Sequence, residues 1–359
     1  SIVAIQLELE ESAPVYSRDT SSEAEWLMAK TCVMASDSQY HEWVSHLGRT
    51  HLTFEPHIIA IHRTLRQENH PLFDFLKPLT KDTLFLNWAA RATLAEFGKN
   101  SFGDRVASVG TGQFMQLIRK DWLRYDFFGS SALPNELRSR GFDDDFDFPG
   151  YLYREDGMKL WNAMGKFAND FVGEVYLSDD DVGNDIGLRR WAQETTDRDK
   201  AGIPGFPHEF RDRQTLAYTL QTMMWVATAL HAAVNYAQYD FLAFAPNKPL
   251  GTRAGMEQFQ ADGSNSQEWI YREANPYFNV AREVIYIVRI LTTTPEAAID
   301  NIGGHFARTS FGESSYIKFV EALDAIGEDI EARNSASKRN GGATYAYLHP
   351  SNVPSSINI

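Results

Sequence analysis

Tyr40-His41-Glu42-Trp43-Val44-Ser45-His46-Leu47-Gly48-Arg49-Thr50-His51-Leu52 sets three imidazoles at intervals of five residues, and six of the chain's ten histidines fall between His41 and His70. On an α-helix, residues five apart lie about 140° from one another around the axis, a poor arrangement for aiming two rings at one ion. A π-type turn, with more residues per turn, brings i and i+5 close to one face; such turns are rare and often sit at functional sites. The spacing His46-x4-His51 therefore predicts a distorted helix if both rings bind one metal. The flanks favour helix. Glu23 and Glu25 open a stretch from Ser21 to about Glu55 at the end where the helix dipole prefers carboxylates. Pro56 stands where a following helix would begin, carrying Ile58, Ile59, Ile61 and Leu65.

Far downstream lies His231-Ala232-Ala233-Val234-Asn235, and the sequence ends at Ile359. His231 and Asn235, four apart, share a helix face without distortion. Met223, Met224, Trp225, Val226, Ala229, Leu230 and Val234 make the surrounding stretch apolar all round, the pattern of a helix inside a core. Imidazole nitrogens, an amide oxygen and a main-chain carboxylate together form a donor set for one transition metal. Plainer readings stand beside this one. A core histidine is more often hydrogen-bonded structure than ligand, and a histidine-rich window can be a polar helix face.

The bulk numbers bound the class. The chain has 359 residues, 43% apolar and 13% aromatic, enough to bury a sizeable core. A net charge of −14 leaves no basic stripe for nucleic acid and gives no help in binding anionic lipid. Cys32 is the single cysteine, so neither a disulfide framework nor a thiolate metal site is available. No apolar stretch is long enough for a transmembrane span, and no signal peptide opens the chain, so a cytoplasmic location, at most peripheral to membranes, is expected. The first residue is not Met, which fits one domain of something longer.

A short strand is expected over residues 2–9. Helices are expected over 80–97 (closed by Gly98), 113–125, 156–176, 213–240, 276–293 and 310–335. Gly141–Phe148, Ser178–Asp185 and Gly251–Ser266 read as surface loops, and Gly341-Gly342, Pro350 and Pro354 make the tail non-helical. The whole reads as one mainly α domain with little strand and no clean internal boundary.

Several of these stretches together resemble a known family. Trp26-Leu-Met-Ala-Lys30, the run from Asp37 through His41, Glu42, His46 and His51 to Glu55, Arg63-x-Leu65, His70-Pro71, Ala89-Ala-Arg91, His231-Ala-Ala-Val-Asn235-x2-Gln238-Tyr239 and the final Ile359 resemble the catalytic domain of iron lipoxygenases. The resemblance implies a single large helical lipoxygenase catalytic domain over residues 1–359, incomplete on its N-terminal side. It would be the C-terminal portion of a longer chain, without the N-terminal β-barrel of most relatives. In short bacterial relatives such a domain can be fused to a catalase-like, hydroperoxide-processing domain.

The resemblance further implies that His46, His51 and His231 bind one non-haem iron, with the Asn235 side-chain oxygen as a weaker ligand and the Ile359 carboxylate as the fifth protein donor. His41 matches a family histidine that is not a ligand. Such donors without thiolate suit iron or, less well, manganese; zinc accepts them but usually stays four-coordinate. Gln238 is expected to touch Asn235, and Glu42 stands where relatives often carry Gln; both are expected to support the ligands.

The implied activity is insertion of dioxygen into polyunsaturated fatty acids of the linoleate or linolenate type, giving hydroperoxides after hydrogen abstraction by ferric hydroxide. Ala90 aligns with a position that biases oxygen entry, and Leu94, one turn on, with one that packs against the pentadiene. Ile287 and Leu291 are candidates for the opposite wall, with plain core packing as the competing reading. The rival functions are a zinc or other divalent-metal hydrolase using Glu42 or Glu55 as base, a catalytically silent binding module, and a hydroperoxide isomerase on the same fold. The hydrolase lacks a His-Glu-x-x-His motif.

Overall fold

A computed structural model describes residues 3–96, 100–108, 111–143, 148–263, 266–292 and 312–359. Helix dominates, as expected. Two three-residue strands, β1 (Ala4–Gln6) and β2 (Val15–Ser17), pair antiparallel with Ile5 opposite Tyr16. The opening strand is thus shorter than the 2–9 stretch suggested.

Ser22 starts the first long helix, Glu23–Gln39, with a reciprocal cap. Its hydroxyl accepts from the Glu25 N–H at 3.2 Å, and the Glu25 carboxylate accepts from the Ser22 N–H at 2.8 Å. The helix passes directly into a π-helix, Tyr40–Leu52, and then into an α-helix, Thr53–Arg63. The distortion demanded by the five-residue spacing is there, over the predicted residues. The Thr53 hydroxyl donates to the Gly48 carbonyl, five residues back, at 2.8 Å. Pro56 lies inside the last helix, at its fourth position, rather than at its start. Pro56 has no N–H to give to the turn before it, and it stands where the π-helix gives way to α geometry.

The chain divides into two compact units, each assembled from separate stretches. The first comprises residues 1–47, 89–121 and 236–293. One of its apolar clusters joins Ile5, Tyr16, Trp26 and Met28 to Phe259, Trp269 and Ile270. A second joins Phe102, Val106, Leu242, Leu250, Val284 and Val288.

The second unit comprises residues 48–88, 122–235 and 294–359. Its centre is the Leu152–Val175 helix, packed against Arg213–Trp225 and Glu313–Arg339. Gly165 permits that approach. A Cβ there would lie 2.6 Å from the Gln221 side chain, whose amide donates to the Trp161 carbonyl at 2.8 Å. Gly341, at φ 69°, follows the long Glu313–Arg339 helix, and the tail expected to be non-helical carries one short 3-10 helix, Pro350–Asn352, with Pro350 at its start. The tail beyond it is held rather than loose. Asn334 Nδ2 donates to the Tyr345 carbonyl at 2.8 Å and Asn334 Oδ1 accepts from the Tyr345 N–H at 3.1 Å, while Leu348, Val353 and Ile357 are fully buried.

Two expected loops are corrected. Ser178–Asp185 holds a helix, Asp179–Asn184, capped reciprocally by Ser178 and Asp181 and anchored by buried Val182. Gly251–Ser266 holds a helix, Met256–Ala261, which buries Met256 and Phe259. The 213–240 stretch is helical but divided, into Arg213–Trp225, a π-segment Val226–Leu230, His231–Asn235 and Gln238–Leu242. Gly98 and residues 144–147 of the acidic run lie outside the described residues. Among the described residues no helix is long and apolar enough to cross a membrane.

Candidate metal centre

The π-helix does what its spacing requires: His46 and His51, five residues apart, present their rings toward one point. His231 supplies the third. It is fully buried at the start of the His231–Asn235 turn, directly after the second π-segment. One donor atom from each of His46, His51 and His231 lies within 4.8 Å of the other two. His51 Nε2 and His231 Nε2 are 3.2 Å apart. Imidazole–metal bonds of about 2.1 Å put neighbouring donors about 3.0–3.4 Å apart, so this separation suits a shared ion. Two ring lone pairs aimed at each other at that distance repel unless a proton or a cation stands between them. The donor set therefore fits a metal.

The other nitrogen of each π-helix ring is engaged. His51 Nδ1 lies 2.9 Å from Asn87 Oδ1. His46 Nδ1 lies 3.3 Å from Gln238 Nε2 and 3.6 Å from Glu42 Oε2. Nε2 is open to a metal where Nδ1 carries the ring proton toward the Glu42 carboxylate, which only accepts. Burial alone would raise the Glu42 carboxyl; hydrogen bonds to His41 and His46 instead hold it down at about 2. His41 Nδ1 meets Glu42 Oε1 at 2.8 Å, so His41 serves that carboxylate and stands outside the three-histidine group.

Asn235, four residues after His231, is fully buried on the same turn. Gln238, also fully buried, makes its contact with His46. Ile359 is half-buried at the end of a segment whose residues 353–357 are all buried, in the same unit as His51, His231 and Asn235. Ala90 is half-buried on the Thr83–Thr93 helix. Leu94 and Ile287 pack against the same apolar cluster of the first unit, which fits either a pocket wall or plain core. Leu291 is half-buried at the end of the Phe278–Leu291 helix.

The sequence reading missed Asn87. It is fully buried and touches His51 from 36 residues away. Nothing in its local sequence marks it, because the partner comes from another helix.

A family model described as lipoxygenase matches residues 5–350. The chain belongs to the lipoxygenase family. It is 31% identical over 364 residues to the linoleate 9/13-lipoxygenase of Pseudomonas aeruginosa, covering 96% of this chain and 50% of that protein. It is 29% identical to the allene oxide synthase-lipoxygenase protein of Plexaura homomalla (99% of this chain, 33% of that one). It is 32% identical to the hydroperoxide isomerase ALOXE3 of Rattus norvegicus (95% and 46%). The lipoxygenase chain thus spans half the length, or less, of these curated relatives. A crystal structure of a LOX deletion variant in complex with arachidonate superposes with a TM-score of 0.89 at 28% identity, covering 99% of this chain and 52% of that one. A coral 8R-lipoxygenase superposes at 0.86, also at 28% identity, covering 99% and 53%.

Proposed function

We propose that residues 1–359 act as a lipoxygenase catalytic domain that holds one non-haem iron and inserts dioxygen into polyunsaturated fatty acids, giving hydroperoxides. The observation that carries this reading is the buried group of three imidazoles, two of them on a π-helix and the third directly after a second π-segment. In the proposal His46, His51 and His231 hold the metal through Nε2, and the Asn235 amide oxygen and the Ile359 carboxylate complete the protein donors. Glu42 and Gln238 steady His46 from its Nδ1 side. Bound iron would supply a one-electron oxidant for a doubly allylic carbon.

The remaining work falls to the chain. Ala90, Leu94, Ile287 and Leu291 are assigned to the pocket, where aliphatic walls exclude water and align a substrate whose tail is itself apolar. The small side chain of Ala90 leaves room that a larger residue would fill. Similarity to the linoleate 9/13-lipoxygenase supports a linoleate-type substrate. The test is twofold: metal analysis of the purified chain, and conjugated-diene formation with oxygen uptake from linoleate. About one iron per chain and air-dependent diene are expected. Stoichiometric zinc with no oxygen uptake would overturn the proposal.

A second reading has its own support, in the 32% identity to a hydroperoxide isomerase. It predicts that a fatty-acid hydroperoxide supplied under nitrogen is converted to isomeric products without oxygen uptake, while linoleate in air gives little diene.

A further inference from the structure

Asn87 is fully buried on the Thr83–Thr93 helix, and its amide faces His51 and Glu55. One end of that amide lies 2.8 Å from Glu55 Oε2 and 2.8 Å from the His51 carbonyl oxygen. A carboxylate and a carbonyl only accept, so this end is the NH2 group, which has two hydrogens to give. The other end is then the amide oxygen, 2.9 Å from His51 Nδ1. That oxygen also only accepts, so Nδ1 carries the ring proton. A neutral imidazole holds one proton. The lone pair therefore sits on Nε2, the atom 3.2 Å from His231 Nε2.

We infer that Glu55 and Asn87 are positioning residues that fix His51 as its Nδ1–H tautomer and so keep Nε2 open toward a metal. Glu55 acts at one remove: together with the His51 carbonyl it fixes which way round the Asn87 amide sits, and the amide decides where the proton sits. The consequence for metal binding rests on the proposal that His51 is a ligand; the tautomer rests on the hydrogen bonds alone. Glu55, weighed in the sequence as a hydrolytic base, is thereby assigned a structural use, with Oε2 holding an amide.

The experiment uses the full chain with 15N-labelled histidine, metal-free for NMR and titrated separately with Fe(II) and Co(II). His51 is assigned by the loss of its signals in His51→Gln. In the wild type the proton should be on Nδ1. Asn87→Ala should mix the tautomers and weaken both metals by about 10–100-fold, the range typical of lost outer hydrogen bonds to a ligand. Asn87→Asp keeps an acceptor opposite Nδ1 but sets a second carboxylate beside Glu55. It should hold the tautomer, and metal affinity within a few-fold, while lowering Tm. Glu55→Gln keeps an oxygen that accepts from Asn87 and should behave like wild type. A residue that only supports packing would make affinity follow stability, with Asn87→Asp no better than Asn87→Ala; that result, or an Nε2–H wild type, overturns the inference. If the wild type takes up neither metal, the iron reading fails, and the metal-free spectrum still decides the tautomer.

Discussion

His51 and His57 stand six residues apart on continuous helix, both buried, and their surroundings could hardly differ more. His51 sits between Asn87 and His231, with a polar partner at each ring nitrogen. The His57 ring is packed among Phe54, Phe127 and Phe206, with ring centroids 5.9, 5.2 and 5.6 Å away. Among the described residues neither of its nitrogens finds a hydrogen-bond partner. Burial without a partner pushes its pKa down to about 3. One ring is met by polar groups and the other is shut away from them. Histidine density in the sequence does not separate the two; the neighbours each ring meets do.

The largest contrast is in metal. His231→Ala or His46→Ala should leave the protein with almost no bound iron by elemental analysis, whereas His57→Phe should keep it. Iron retained by both alanine variants would break the comparison at its stronger end. The next effect is on stability. A folded-state pKa of about 3, against an ordinary 6.5, means the unfolded chain binds the His57 proton first as pH falls. The resulting loss is absent above about pH 6.5, grows as pH falls and levels off near pH 3. At pH 5 it amounts to about 2 kcal/mol, because each pH unit below the ordinary pKa adds about 1.36 kcal/mol. Urea denaturation of wild type and His57→Phe at pH 8 and pH 5 should show the variant's advantage widening by that amount. Parallel behaviour at the two pH values would mean that His57 is not kept neutral.

This contrast also marks what could be read beforehand. The widened helix was legible on the premise that His46 and His51 share one ion, because i, i+5 spacing then conflicts with α geometry. The shared face of His231 and Asn235 was legible for the same local reason. Ser178–Asp185 was misread because three consecutive aspartates look like a solvated loop. Yet Ser178 with Asp181 three residues later is a helix-start signal, and acids in a first turn strengthen it. Asn87 and the aromatic cage of His57 were beyond reach. Phe127 and Phe206 lie 70 and 149 positions after His57 in the chain, and only tertiary packing brings them to it. The π-segment ahead of His231 has no spacing to betray it, since the two candidates that follow, His231 and Asn235, stand four apart and ask for no distortion.

Two more histidines of the same run fill in the scale between the extremes. His70 ends its segment as a helix cap: Nδ1 accepts from the Leu72 N–H at 3.2 Å, and Nε2 faces Asp185 Oδ2 at 3.1 Å. The Tyr176 hydroxyl donates to the same carboxylate oxygen at 2.8 Å. Burial works to raise Asp185, and these bonds hold it at about 2. His70→Ala removes a cap and a charge-assisted bond, and should cost about 1–2 kcal/mol at pH 7 in chemical denaturation. The Asp185 contribution is present above its ordinary pKa of 3.8 and lost as pH falls toward 2. The difference between wild type and His70→Ala should therefore shrink in acid, the opposite trend to that of His57→Phe.

His62 should matter least. Half-buried, it meets the Thr80 hydroxyl at 3.3 Å through Nε2 and the Arg66 guanidinium at 3.2 Å through Nδ1. Burial and then Arg66 push its pKa down, but with polar partners and water at hand. Gln offers a comparable donor and acceptor, and His62→Gln should stay within about 0.5 kcal/mol of wild type in urea, the usual range for such sites. It should also leave iron content unchanged and, since its pKa too is lowered, flatten the fall in stability from pH 8 to pH 5, but far less than His57→Phe does. A pH slope flattened as much as in His57→Phe would show that burial depth, rather than the absence of polar partners, sets the acid sensitivity, and would remove the distinction on which the comparison of His51 with His57 depends.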